Sequence, residues 1–302
     1  MFKIDSILHK FNLIIKKTSA ETKKNKFTRP LYDVLSSIGV IRLKHYLFGY
    51  SFSLLYHRNP TQKMKDEKDL FSEHAQELKT VYDSLEDDKS RSVFENILKY
   101  RVTFDWTYLK KSRAKDNLGT QYFVPEIQFS DHEVIVDCGA YIGDTVERFY
   151  KNVPGCRVIA LEPEERNYEV LQKLKLKELK TIHAGVWSED TTLRFLDQGG
   201  GSSDGSIDVS GNTEIIVKAL DHIPECKSAT YIKMDIEGAE LEALKGAEKI
   251  IREQRPKLAI CLYHRPEDFF QIPLYIKKIN PDYRLFLYHH NDDINETVLY
   301  AV

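Results

Sequence analysis

Apolar residues in the first part of the chain recur every three to four positions, the period of a helix with one buried face. Phe2, Ile4, Ile7, Leu8, Phe11, Ile14 and Ile15 predict an amphipathic helix, with Lys3, Lys10, Lys16 and Lys17 on its other faces. A polar, lysine-rich stretch at 18–30 reads as a linker, and the apolar, aromatic stretch 31–57 as one or two helices. Asn59-Pro60 interrupts the pattern, and a charged run at 63–69 follows. Leu70, Phe71, Leu78, Val81, Tyr82 and Leu85 then mark one helix, and Val93, Phe94, Ile97, Leu98 and Arg101 the next. Asp87 and Asp88 are placed to cap the second.

After Asp131 the period changes. Short apolar runs alternate with helical segments, the mark of a parallel sheet with helices on both faces. Strands are expected near 134–138, 157–162, 181–186, 231–235 and 258–262, with 284–289 and 297–302 as a closing hairpin. Residues 118–129, including Gln121-Tyr122-Phe123, read as an extended lead-in, and 239–251 as a helix. Extended pieces at 193–196 and 215–219 flank a glycine- and serine-rich loop, 199–212, which reads as a lid over a site or as plain surface. The expected architecture is α/β over 118–302, preceded by an all-helical region over 1–117.

Composition changes this picture little. With 42% hydrophobic and 30% charged residues the chain is of the soluble globular class, and a net charge of −2 gives no polyelectrolyte signal for nucleic acid. Cys138, Cys156, Cys226 and Cys261 are widely spaced, which predicts buried thiols and no zinc site. Asp5, His9 and Lys10 interrupt the N-terminal apolar pattern, so no signal peptide is expected. The longest uncharged apolar stretch, 46–56, is short of the ~20 residues of a spanning helix, so the expected location is the cytoplasm. The N-terminal helix is expected to dock on its own chain or on a second copy, in a homodimer, with a membrane surface as the alternative.

Candidate chemistry gathers at strand ends. Val134-Ile135-Val136-Asp137-Cys138-Gly139-Ala140-Tyr141-Ile142-Gly143-Asp144-Thr145 reads as strand, glycine turn and helix start. Such a turn lets backbone approach a ligand. A nicotinamide-binding turn carries a third glycine for its pyrophosphate, and Asp144 would repel a diphosphate but suit an amine. S-adenosylmethionine, with an ammonium, a carboxylate and a sulfonium, fits better. Glu162, ending Val158-Ile159-Ala160-Leu161-Glu162-Pro163, is spaced to hold a ribose diol. Ala184 and Gly185 are small enough for an adenine to lie on backbone, and Tyr122 lies where it would cover a cofactor.

In Tyr231-Ile232-Lys233-Met234-Asp235-Ile236-Glu237-Gly238-Ala239-Glu240 the period of two puts Lys233 and Asp235 on one face. Lys233 is expected to point toward carboxylates or a substrate phosphate, and Asp235, Glu237, His264 and Arg265 to line an acceptor crevice. Asp235, Glu237 and His264 are the candidate catalytic groups, taking a proton from a hydroxyl. Their spacing matches no standard metal motif, so no metal is expected, with a divalent ion on these three as the lesser alternative. Asp221-His222 and His289-His290 have no partner visible in sequence.

The runs 136–145, 161–163 and 232–240, in this order, resemble the FkbM family of S-adenosylmethionine-dependent methyltransferases from Asp131 to the C-terminus. The resemblance implies a class I methyltransferase fold, a Rossmann-like seven-stranded sheet with an antiparallel last strand, and O-methylation of sugar or polyketide hydroxyls. By the same resemblance Asp137, Gly139, Tyr141 and Gly143 cradle the methionine part of the cofactor and Glu162 holds the ribose; Ala140, Asp144, Thr145, Pro163 and Asp235 are further candidate cofactor contacts by position. The expected substrate is a small molecule or glycan, the hydroxyl of a sugar, sugar nucleotide or surface-glycan precursor. The alternatives are an NAD-dependent sugar oxidoreductase and a methyltransferase-like scaffold without turnover.

Overall fold

The computed structural model describes residues 60–114, 119–196, 206–207 and 213–302, within one compact unit, Leu55–Val302. The elements expected over 1–57, and the loop at 199–212 apart from Ser206–Ile207, lie outside the described residues.

Among the described residues four helices come first: α1 (Pro60–Glu73), α2 (Ala75–Ser84), α3 (Asp88–Thr103) and α4 (Thr107–Ser112). The charged run 63–69 lies inside α1 because it serves the packing: Glu67 turns inward and meets the buried Arg101 of α3 at 3.1 Å. The helix expected over 70–85 is two helices meeting at His74, whose ring stacks on Phe270 with centroids 4.4 Å apart. Asp87 caps α3 as expected, accepting from Ser90 N at 2.6 Å. Arg101 also donates to the carbonyl of Tyr263 at 2.7 Å, which ties the helices to the end of a core strand.

The main sheet is built from β1 (Val134–Cys138), β2 (Arg157–Leu161), β3 (Leu179–Ile182), β8 (Tyr231–Met234), β9 (Lys257–Cys261), β10 (Leu285–His289) and β11 (Thr297–Ala301). Its helices are α5 (Asp144–Asn152), α6 (Glu165–Leu171), α7 (Glu240–Lys245), α8 (Glu248–Gln254) and α9 (Asp268–Ile279). The strand order is β3-β2-β1-β8-β9-β11-β10, parallel apart from β11, which runs antiparallel to both neighbours. The expected seven-stranded sheet with its closing hairpin is therefore present. Antiparallel β11 starts where the parallel strands end, so residues just before it reach the carboxyl edge of the sheet, where open α/β sheets bind ligands.

The third strand departs from expectation. It ends at Ile182, where exposed His183 turns away to stack on Tyr168, and β4 (Gly185–Val186) joins a second, four-stranded sheet. There β4 pairs with β7 (Thr213–Lys218), β7 with β5 (Thr191–Leu196), and β5 with β6 (Ser206–Ile207). The helix expected over 239–251 is also divided. At Gly246 an added Cβ would lie 2.0 Å from the carbonyl oxygen of Trp187, so the backbones meet there with no room for a side chain. Asp221 caps α8 across this break, accepting from Lys249 N and Ile250 N at 2.9 Å each.

All four cysteines are free and buried, as expected. No helix among the described residues is long and apolar enough to cross a membrane. His289 and His290 have partners that topology supplies: His289 Nδ1 lies 2.9 Å from Thr297 Oγ1, and His290 Nε2 lies 2.9 Å from Tyr300 Oη. Burial, with His290 beside it, pushes the His289 imidazole down to about 3. Its folded value lies below its unfolded one, so the unfolded state binds the extra proton and stability falls as pH drops below the unfolded value of about 6.5. Between about pH 7.5 and pH 5 this group is expected to remove about 2 kcal/mol. Urea unfolding of His289→Asn at both pH values should show a correspondingly smaller drop; equal drops in the two proteins would refute the assignment.

Candidate active site

The glycine turn joins β1 to α5, and Gly139 and Gly143 both adopt positive φ, 75° and 93°. Their missing side chains make room for protein. A Cβ on Gly139 would lie 2.0 Å from the carbonyl oxygen of Asp235, and one on Gly143 would lie 2.3 Å from Leu174. The turn is thus pressed against the end of β8 on one side and against the segment after α6 on the other. Its N–H groups are largely engaged: Gly139 and Ala140 donate to Leu161 O at 3.0 Å, and Tyr141 N donates to Glu162 Oε2 at 2.9 Å. The first N–H groups of α5 have no helical acceptor, and the N-cap residue, Gly143, offers no side chain to cap them.

Glu162 stands at the end of β2, 6% exposed, and also accepts from Glu164 N at 3.0 Å. Burial pushes its carboxyl up, against the backbone N–H groups that favour the charge. Asn167 Nδ2 lies 3.5 Å from Oε1 as a weaker third donor, so of the carboxylate's about four acceptor positions these bonds orient it and leave room for a ribose hydroxyl. Pro163 continues from it toward Gly185, where an added Cβ would lie 3.4 Å from the Pro163 ring. Ala184 and Gly185 are buried in that junction, while Asp144 is exposed and Thr145 buried at the start of α5.

Lys233, 2% exposed, points from β8 to Asp137 on the neighbouring β1, with Nζ 2.9 Å from Oδ1, and donates to the carbonyl of Gly139 at 2.8 Å. The ammonium stays charged: burial works against it, but the Asp137 and Asp235 carboxylates outweigh burial and raise its affinity for the proton. That charge opposes the burial that pushes the Asp137 carboxyl up. Lys233 therefore lies beneath the turn as an internal tie. Asp137 Oδ2, fully buried, has no hydrogen-bond partner among the described residues. An unanswered carboxylate oxygen under the turn fits a ligand ammonium, as the methionine end of S-adenosylmethionine would provide.

Asp235 follows β8 and accepts from Tyr263 Oη at 2.7 Å and from Tyr122 Oη at 3.1 Å. Burial would raise its carboxyl, but Lys233, His264 and the Tyr263 hydroxyl hold it below the usual range. His264, after β9, faces three carboxylates: Nδ1 lies 2.9 Å from Glu240 Oε1, and Nε2 lies 3.4 Å from Glu237 Oε2 and 3.5 Å from Asp235 Oδ1. Although burial lowers it, these neighbours raise the imidazole to about 10. At neutral pH it is a cation. Arg265 is exposed at the rim, its Nε 4.0 Å from Glu267.

The structure thus brings Asp137, Lys233, Asp235, Glu237, His264 and Tyr122 together at one edge of the sheet. Three further groups belong there and were not singled out from sequence. Glu240 is fully buried in α7, Tyr263 reaches Asp235, and Glu296 precedes β11, its carboxylate accepting from Gln121. Burial, then the Asp235 charge, pushes the Glu296 carboxyl up to about 7. The signal for Glu296 was the closing hairpin itself, since an antiparallel last strand must start at the ligand-binding edge.

Strand order, glycine turn, strand-end acids and a single antiparallel strand define a class I methyltransferase fold. The family model described as the methyltransferase FkbM domain matches residues 137–294, and the chain belongs to the FkbM methyltransferase family. A crystal structure of methyltransferase FkbM from Methylobacillus flagellatus KT matches with 30% identity and a TM-score of 0.66. The match covers 77% of this chain and 60% of that one, so this chain accounts for less than two thirds of its relative's length. Fibrillarin from Aeropyrum pernix, in complex with natively bound S-adenosyl-L-methionine, aligns at 11% identity over 61% of this chain and 74% of that one, with a TM-score of 0.40. The search of curated proteins finds no match.

Proposed function

We propose that this protein is an S-adenosylmethionine-dependent O-methyltransferase acting on a hydroxyl of a sugar, sugar nucleotide or surface-glycan precursor in the cytoplasm. The observation that carries the proposal is the pairing across the turn: Glu162 is oriented for a diol on one side, and the partnerless Asp137 Oδ2 suits an ammonium on the other. S-adenosylmethionine carries both groups. Its methyl would then face the crevice beside Asp235.

When bound, S-adenosylmethionine would supply a methyl group on a sulfonium that leaves as a neutral thioether. The chain's own residues would have to hold the acceptor hydroxyl in line and take its proton. His264, as a cation in this geometry, is poorly suited to receive it. Glu296, poised near neutrality, has the matched proton affinity. Asp235, Glu237 and Arg265 remain the groups that would meet the acceptor, and Tyr122 and Tyr263 orient Asp235.

The test is turnover. Incubating the full chain with S-adenosylmethionine and a panel of sugar nucleotides and glycan fragments should release S-adenosylhomocysteine with a hydroxylic acceptor, and Asp137→Ala should abolish release. A product carrying its new methyl on nitrogen or carbon, or NADH oxidation with ketosugars instead, would contradict the proposal.

A further inference from the structure

Negative charge at the acceptor edge exceeds what one imidazole neutralises. Asp235, Glu237 and Glu240 all face His264, and the neighbouring ammonium, Lys233, lies against Asp137. The surplus is felt further out. Asp268 is pushed up to about 7 by burial and by Glu240, and Glu296 to about 7 by burial and by Asp235.

The geometry around the ring is uneven. On the Nδ1 side Glu240 is in contact at 2.9 Å and fixes the ring's orientation. Among the described residues neither ring nitrogen makes a well-aligned hydrogen bond, although the side chain is only 8% exposed and Nδ1 has its carboxylate close by, and Glu240 Oε2 likewise has no partner. The two oxygens facing Nε2 stand at 3.4 Å and 3.5 Å. Good N–H···O bonds are shorter, about 2.7–3.2 Å. Two ligands each about 2.1 Å from a divalent ion, at tetrahedral or octahedral angles, are about 3.0–3.4 Å apart. The spacing on the Nε2 side is close to that of ligands around a shared ion.

We propose that His264 Nε2, Asp235 Oδ1 and Glu237 Oε2 are three ligands of a divalent-cation site, with Glu240 holding the imidazole from behind. A carboxylate on the far nitrogen is the recurrent support of a metal-bound histidine. Asp235, Glu240 and His264 each offer a donor atom within 4.8 Å of one another, and Glu237 Oε2, 3.4 Å from Nε2, would complete the set by a movement of its partly exposed side chain. The carboxylates grouped around the imidazole supply the negative charge that a divalent ion requires. One nitrogen and two carboxylate oxygens suit Mn²⁺, Mg²⁺ or Zn²⁺. The open positions suit two neighbouring oxygens of a vicinal diol, which every common sugar ring carries. The role in methyl transfer rests on the proposed function above; cation binding does not.

The probe is Mn²⁺. Titrating it into metal-stripped full-length protein, with free ion followed by electron paramagnetic resonance, should show one saturable site. Glu237→Gln and His264→Ala should each weaken it about 10- to 100-fold, with circular dichroism reporting whether each variant folds. Glu237 is partly exposed, so its variant remains informative if His264→Ala does not fold. Displacement of Mn²⁺ by Mg²⁺ or Zn²⁺ would identify the preferred ion. No saturable binding, or binding unchanged in Glu237→Gln, would overturn the site. Calorimetry with S-adenosylmethionine on the same stripped protein separates the two proposals: cofactor binding without Mn²⁺ binding removes only the metal, and the reverse removes only the methyltransferase reading.

Discussion

Replacing Gly139 with alanine is expected to destabilise the protein by about 3 kcal/mol or more and to abolish cofactor binding. The new Cβ would enter a space 2.0 Å from the Asp235 carbonyl oxygen, at a φ of +75° that L-residues rarely adopt. Backbone would have to part from backbone. Since the turn and the end of β8 form the two sides of the crevice, the same displacement separates the Glu162 side from the Asp235 side. Gly155→Ala is the milder comparison: φ is +84°, and the added Cβ would sit 3.0 Å from Asp131 O, a tight contact that a shift of a few tenths of an ångström relieves, so the expected cost is mainly the conformational one, about 1–2 kcal/mol. For a unit of this size the first change lowers Tm by about 6–12 °C or more. Equal effects of the two substitutions would show that strained φ, and not the approach of turn to strand, governs the position.

Lys233→Met is expected to cost about 3–5 kcal/mol, because it leaves Asp137 charged, buried and without its ammonium. Adding Asp137→Asn should recover much of that loss, since the double variant buries no unpaired charge. Urea unfolding of the two single variants and the double one measures the coupling directly. The outcome also decides what Lys233 is for. A substrate-binding lysine would leave stability unchanged on removal and raise KM for the acceptor, whereas the internal tie seen here lowers stability whether or not substrate is present.

Much of the fold was legible because a parallel sheet writes itself into sequence. The runs at β1, β2, β8 and β9 are apolar on both faces and are punctuated by glycine or proline, so their limits fell within a residue of expectation. The breaks in 181–186 and 239–251 were not legible. Each depends on a distant contact, His183 with Tyr168 in one and Gly246 with Trp187 in the other, and no local pattern encodes these.

The site divides in the same way. Asp137, Glu162 and Asp235 stand at strand ends, where position alone implies proximity. Glu240 and Glu296 reach the same place from a helix start and from the far end of a hairpin. Glu240 matters because it holds the ring of His264, which only the packed structure reveals. The glycines carry a further requirement that spacing does not encode: where Gly139 lacks a side chain, the turn packs directly against the Asp235 carbonyl.

The central claim is that the turn between β1 and α5 receives S-adenosylmethionine. Titration calorimetry of the full chain with S-adenosylmethionine, and separately with NAD, measures this most directly. One-site binding of S-adenosylmethionine is expected, weakened at least about tenfold, or about 1.4 kcal/mol, in Glu162→Ala, with no heat from NAD. Binding of NAD alone, or S-adenosylmethionine binding indifferent to Glu162, would contradict it.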